Sequence, residues 1–167
     1  MRHPITLRDE RASDADAIRD VTRRAFAQAP HASGNEQDIV DALRTAGALE
    51  ISLVAEALGR VIGHVAVSRV HLESDAAWFG LGPISVSPEH QRRGVGTILM
   101  RGAIARLRDL GADGCVLVGE PEYYARFGFE PAAPLVYPGI PPEYFRALDL
   151  RGPRPRGVVR YHPAFGG

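Results

Sequence analysis

Lysine is absent: all twenty basic side chains among the 167 residues are arginine, so lysine self-acylation has no residue to act on. There is one cysteine, Cys115, which excludes an internal disulfide, and its place in an apolar strand-like run points to packing rather than nucleophilic chemistry. The six histidines are dispersed and the cysteine has no partner at ligand spacing, so no metal site is expected. Twenty acidic residues balance the twenty arginines, and a chain near neutrality has no overall field to draw it to nucleic acid or to an anionic membrane. No secretory leader pattern follows Met1, and no apolar run approaches the roughly 18 residues of a membrane span. A cytoplasmic protein of one domain is the expectation, with 45% hydrophobic content enough for a substantial core.

Against this background one stretch stands out. Gln91-Arg92-Arg93-Gly94-Val95-Gly96 lies between an apolar run, Leu81 to Val86, and an amphipathic helix pattern, Thr97 to Leu110. A helix start leaves N–H groups without internal partners and carries the positive end of the macrodipole, which suits phosphate oxygens. Gly94 and Gly96 allow close backbone approach, and Arg92 and Arg93 add local charge. A nucleoside-triphosphate loop would need Lys-Ser/Thr after the second glycine, and a dinucleotide fingerprint would need a small residue at Leu99; neither is present.

The flanks read as a mixed α/β chain. Ile5-Thr6-Leu7-Arg8 alternates as a strand, and Asp14 is placed to cap a helix carrying Ile18, Val21, Ala25 and Phe26 on one face. The loop Ala29-Pro30-His31-Ala32-Ser33-Gly34 precedes a second helix opened by Asn35 or Glu36 and ended by Gly47. Ser52 to Ala57 and Val61 to Val70 form a hairpin around Leu58-Gly59-Arg60. Trp78 to Val86 continues the sheet, with Pro83 marking a bulge, a separation from a neighbour, or an edge. Val95, Ile98, Leu99, Ala103 and Leu107 pack the next helix on the sheet, Arg101 and Arg108 face water, Gly111 ends it, and residues 114 to 119 return as a strand. From Pro131 to Pro155 the chain is proline-rich, with a helical turn expected within Glu143 to Leu150 and a final strand from Gly157 to His162.

Gln91 to Gly96 after Ile84-Ser85-Val86-Ser87-Pro88 resembles the Gln/Arg-x-x-Gly-x-Gly/Ala loop of the GNAT N-acetyltransferases, and Tyr123-Tyr124-Ala125-Arg126-Phe127-Gly128-Phe129 resembles that family's Tyr-x-x-x-Gly-Phe segment. The resemblance covers residues 50 to 132 clearly and the flanks loosely, and points to a broad bacterial branch whose acceptors are open. It implies a central mixed, mostly antiparallel sheet flanked by helices, with the fourth and fifth strands splayed around the pantetheine arm of acetyl-CoA. It further implies that Ile84, Ser85 and Val86 offer backbone to that arm, that Gln91, Arg92, Arg93, Gly94, Val95, Gly96 and Thr97 hold the pyrophosphate, and that an N–H near Val86 stabilises the oxyanion.

By the same resemblance Tyr124, four residues before the glycine of Gly-Phe, is the catalytic acid that protonates the leaving thiolate and also contacts the cofactor. Tyr123 then points about 100° away. For removal of the acceptor's proton, Glu120 after the fifth strand is the first choice, with Glu36, His64, His71 or a water chain beside it. The implied partners are acetyl-CoA and an amine acceptor, a small molecule or a protein or peptide N-terminus, with no metal and with a homodimer left open. A catalytically silent acyl-CoA sensor or interaction protein is the alternative.

Overall fold

The computed structural model describes residues 3–27, 29–30 and 32–166, so His31 of the first long loop lies outside the described residues. Strand and helix order follows the expected alternation: β1 Thr6–Asp9, α1 Ala15–Phe26, α2 Glu36–Thr45, β2 Ile51–Ala57, β3 Arg60–Arg69, β4 Trp78–Val86, α3 Val95–Asp109, β5 Gly114–Val118, α4 Pro121–Ala125, β6 Glu130–Pro131, β7 Leu135–Val136, β8 Phe145–Asp149 and β9 Gly157–Val158. The chain divides into two compact units, with boundaries at Val67/Ser68, Leu81/Gly82 and Ile104/Ala105.

In the first unit the strand order is β1-β2-β3-β4, and both β1/β2 and β2/β3 are antiparallel. Ile18 of α1 and Val40 of α2 meet Val54 of β2 with no solvent exposure, which places the two N-terminal helices on the sheet as their apolar spacing predicts. On α3, Val95, Leu99 and Met100 are buried. A Cβ on Gly63 of β3 would lie 2.9 Å from Leu99 Cδ1 and 3.2 Å from Val95 Cγ1, so glycine there lets the helix start sit close to the strand.

Arginine forks join the elements of this unit. Arg8 binds Asp14 at 2.7 Å and Glu56 at 2.8 Å, and Arg44 binds Glu10 at 2.8 Å and Asp41 at 3.0 Å. Asp14 thus stands at the start of α1 without capping it; its carboxylate instead accepts from Arg8 and from the Arg11 backbone N–H.

In the second unit β4, β5, β8 and β6 are neighbours in that order. Trp78, Phe79 and Gly80 pair in parallel with Gly114, Cys115 and Val116, and β5 pairs antiparallel with β8 from Gly114↔Asp149 to Val118↔Phe145. The β4–β5 pairing ends at Gly80, so Pro83 sits on β4 beyond the paired stretch, where a residue without an N–H costs the ladder nothing on that side. The helical turn expected within Glu143 to Leu150 is corrected here: Pro142–Tyr144 form a 3-10 turn, and the next five residues are β8. The final strand is also shorter than expected, two residues paired in parallel with β7, followed by an isolated bridge between Arg160 and His71.

Candidate active site

The loop from Gln91 to Thr97 lies wholly in the first unit. At the end of β4, Ser85 is buried and its hydroxyl shares a 3.3 Å hydrogen bond with Thr22 of α1, so only the backbone of this residue is available to a ligand. Ile84 and Val86 are half-buried. Ser87 donates its N–H to Ile62 O at 2.8 Å and its Oγ lies 2.7 Å from His90 Nδ1, which shapes the turn Pro88–His90. The Gln91 side chain then donates to the Val86 carbonyl at 3.0 Å, tying the loop back to the strand it leaves.

Helix α3 begins at Val95, so Val95, Gly96 and Thr97 form its first turn rather than preceding it. The consequence separates the two glycines. Gly94 has φ +86° and faces open space where its Cβ would be, whereas Gly96 is an ordinary helical position in which only the missing side chain matters. Arg92 also adopts a positive φ, +64°, an uncommon state for a non-glycine residue. Arg92 and Arg93 are exposed and carry no ion pair among the described residues. First-turn amides, an open glycine and two guanidinium groups without ion pairs are the kind of groups that suit a polyphosphate.

Two clefts, each about 640 Å³, open beside this loop. One lies toward α1, lined by Arg24, Ala25, Pro30, Pro88 and Gln91, with Arg24 bridging to Glu89 at 3.1 Å. The other lies toward the β2–β3 hairpin and includes Arg60, His90, Arg93 and Val95.

The second unit positions Tyr124 on the short helix α4. Its ring lies directly over Gly119, where an added Cβ would come within 2.3 Å of Cε2. Tyr123 and Phe129 meet it edge-on at 4.8 and 6.2 Å between ring centroids. The Tyr124 hydroxyl has no hydrogen-bond partner among the described residues, and burial pushes its pKa up to about 12. Tyr123, by contrast, is occupied by packing against Phe127 and by the Arg126 guanidinium 5.1 Å from its ring centre. Phe129 is buried, while Phe127 is half-buried.

The four candidate bases separate by environment. The Glu36 carboxylate accepts from the Ser33 N–H at 2.8 Å, the Ser33 hydroxyl at 2.9 Å and the Gly34 N–H at 3.2 Å, which commits it to folding the turn before α2. His64 is fully buried, 2.8 Å from Ser52 Oγ through Nε2, and burial pushes its pKa down to about 4. Inaccessible and neutral, it is a structural histidine. His71 is exposed just beyond β3, its backbone bridged to Arg160. Glu120 is exposed at the N-cap of α4 and its side chain makes no cap bond.

Cys115 is fully buried and its thiol is pushed well above its usual range by burial. Among the described residues no group of three His, Cys, Asp or Glu is arranged to hold a metal, and no helix is long and apolar enough to cross a membrane. Two features escaped the sequence reading: the clearance that Gly119 gives Tyr124, and the Thr22 hydroxyl that occupies Ser85. A glycine shortly before an aromatic pair is the only trace of the first, and nothing in the sequence marks the second.

Residues 6–132 match the family model of the acetyltransferase (GNAT) domain. Over 96% of this chain and 98% of the relative, the sequence is 33% identical to the curated "Uncharacterized N-acetyltransferase YhbS" of Escherichia coli K12. A crystal structure of a GNAT family acetyltransferase from Brucella melitensis in complex with acetyl-CoA superposes with a TM-score of 0.87 at 44% identity, covering 98% of this chain and 99% of that one. The structure of Escherichia coli YhbS in complex with CoA gives 0.90 at 32% identity, covering 100% and 94%. With the motif loop at the start of α3, the parallel β4–β5 pair and a family match over most of its length, this chain belongs to the GNAT acetyltransferase family.

Proposed function

We propose that the protein transfers an acetyl group from acetyl-CoA to a primary amine, on a small molecule or a protein or peptide N-terminus. The observation that carries this reading is the loop from Gln91 to Thr97: first-turn amides of α3, an open positive-φ Gly94, and Arg92 and Arg93 without ion-pair partners among the described residues. Similarity to structures that hold acetyl-CoA or CoA supports the same ligand here.

In this proposal the loop binds the pyrophosphate and the backbone of Ile84, Ser85 and Val86 receives the pantetheine arm. A neutral amine attacks the thioester carbonyl carbon, an N–H near Val86 stabilises the oxyanion, and the C–S bond breaks as the sulfur takes a proton from Tyr124. Stabilisation of this kind is typically worth a few kcal/mol of barrier per donor. A phenol held near 12 is a weaker acid than a thiol of about 8.5, so Tyr124 serves by donating to the thiolate as it forms, with its proton restored from the medium afterwards. Glu120, or water, receives the proton that the acceptor nitrogen loses. His64 and Glu36 are bonded elsewhere and take no part in this scheme.

A second reading, an acyl-CoA sensor without turnover, draws on one observation: two of the four candidate bases are committed to the fold. Calorimetric titration with acetyl-CoA followed by free-thiol release across a panel of amines and N-terminal peptides tests both. Binding with acceptor-dependent release establishes the transferase, binding without release favours the sensor, and no binding overturns both.

A further inference from the structure

Among the described residues Arg146 of β8 is the only buried arginine, 9% exposed. Arg8, Arg44 and Arg154 are partly exposed, and each binds two carboxylates: Asp14 and Glu56, Glu10 and Asp41, Glu130 and Asp149. Arg146 binds no carboxylate among the described residues. Its Nη1 donates to the Glu143 carbonyl at 3.2 Å, and its Nε is buried without a partner. Glu130, beside the cross-strand neighbour Pro131, and Asp149 at the end of β8 are both taken by Arg154. A buried guanidinium without a counter-ion is costly, whereas the same group beside an anion makes one of the stronger polar contacts in proteins. Arg146 is therefore suited to an anion that the chain itself does not supply.

The second unit fixes where that anion would sit. Register pairs Leu117 with Arg146 and Cys115 with Leu148, so alternation puts Arg146 and Leu148 on the sheet face shared by Cys115, Leu117 and Gly119. Residues of α4 and the turn after it cover this face. An added Cβ on Gly119 would meet the Tyr124 ring, and one on Gly128 would lie 3.2 Å from Leu148 Cδ1. The bond to Glu143 draws the guanidinium toward the end of β5, where the Gly119 N–H donates to the Tyr144 carbonyl at 2.9 Å. Gly119 lies two residues, about 7 Å, beyond Leu117, a distance that an arginine side chain spans. The guanidinium is thus brought beside the strand end that carries the Tyr124 ring and precedes Glu120.

We infer that Arg146 binds a carboxylate of the acceptor, which makes the acceptor an amino acid or a similarly short amine–carboxylate rather than a plain amine. The inference rests on the proposed transferase reading and names its substrate class. The Nε edge of a guanidinium matches a planar carboxylate, whose single charge it balances, while a phosphate dianion would leave an excess. With the carboxylate on Arg146, the amine of the same molecule attacks the thioester carbon. The C–N bond forms as the C–S bond breaks, the amine's proton passes to Glu120 or water, and the sulfur takes that of Tyr124. Arg146 transfers nothing itself and orients the nucleophile.

The test compares amines that differ only by the carboxylate: glycine with methylamine, leucine with isoamylamine, and phenylalanine with phenethylamine, each followed by free-thiol release from acetyl-CoA. In at least one pair wild type should favour the carboxylate member about tenfold or more in kcat/KM, as expected for a charge-assisted contact. Arg146→Gln should bring that ratio near one through a rise in KM. Equal rates within every pair, preference for the plain amine, or a ratio that survives in Arg146→Gln overturns the assignment. No thiol release from any of the six would count against turnover rather than the contact, which calorimetry on CoA-saturated protein reads separately. There at least one of N-acetylglycine, N-acetylleucine and N-acetylphenylalanine should bind wild type and not Arg146→Gln, and failure of all three to bind wild type overturns the contact. Arg146→Met removes a buried charge that has no counter-ion, so the melting temperature of the ligand-free protein should be unchanged or raised. A marked fall would show that the guanidinium serves the fold and would overturn the site.

Discussion

Tyr124 combines two properties: its ring is packed on several sides, and its hydroxyl is left without a partner among the described residues. In the proposed role this is a proton donor with no competing bond, on a ring whose position is fixed by packing. Tyr124→Phe should therefore bind acetyl-CoA with nearly wild-type affinity and lose about a hundredfold or more in turnover, the usual scale for a positioned proton donor. Equal turnover would reduce the residue to packing. The clamp itself is testable at Gly119, where a methyl group would come within 2.3 Å of the Tyr124 ring. Gly119→Ala should lower kcat and leave the coenzyme affinity intact. Combined with Tyr124→Phe it should add nothing, since the group it displaces is already disabled. A further drop in the double variant would show that Gly119 serves the fold of α4 instead.

At the scale of the element, the loop runs directly into α3, and Gly94 is the positive-φ residue immediately before the helix. Gly94→Val introduces a β-branched residue at φ +86°, a strain of about 1–2 kcal/mol, and fills the open space where phosphate oxygens would approach. Both the melting temperature and acetyl-CoA affinity should fall, whereas Gly96→Ala, at a helical φ, should leave stability unchanged or raised and report on crowding of the phosphate alone. An unaffected affinity in Gly94→Val, measured by calorimetry, would refute the phosphate seat. The strand, loop and helix were legible in the sequence because their signals are local: glycine spacing, the apolar strand before it, the helical period after it. β8 was not, because Tyr144-Phe145-Arg146-Ala147-Leu148-Asp149 has no decisive period, and what makes it a strand is pairing with β5, some thirty residues earlier. The committed Glu36 was likewise hidden: a carboxylate at a helix start looks the same in sequence whether it binds its own loop or faces a substrate. The base assignment stayed open in the sequence for that reason, and the fold narrows it by showing which side chains are already engaged.

For the whole molecule, balanced charge does not mean indifference to pH, because a few groups titrate differently in the folded and unfolded chains. His64 is buried neutral with its pKa lowered to about 4 from an ordinary 6.5. Its contribution is fully present above 6.5 and is lost as pH falls toward 4, since over that window the unfolded chain takes up a proton the folded protein refuses. Asp14 follows the same sign at lower pH: the hydrogen-bonded Arg8 guanidinium holds it at about 2 against an ordinary 3.8, so its contribution is present above 3.8 and lost as pH falls to about 2. Acid destabilisation should therefore proceed in two steps carried by different residues. Urea unfolding followed from pH 7 to pH 4.5 should show wild type losing stability with a slope approaching one proton taken up on unfolding. His64→Gln, which can keep the bond to Ser52 without titrating, should flatten that slope, while Asp14→Asn should lower stability at pH 7 and leave it in place. An unchanged slope in His64→Gln would mean that the imidazole reaches solvent and a proton in the folded protein, and the acid response would then have to be sought among the carboxylates paired with Arg8 and Arg44.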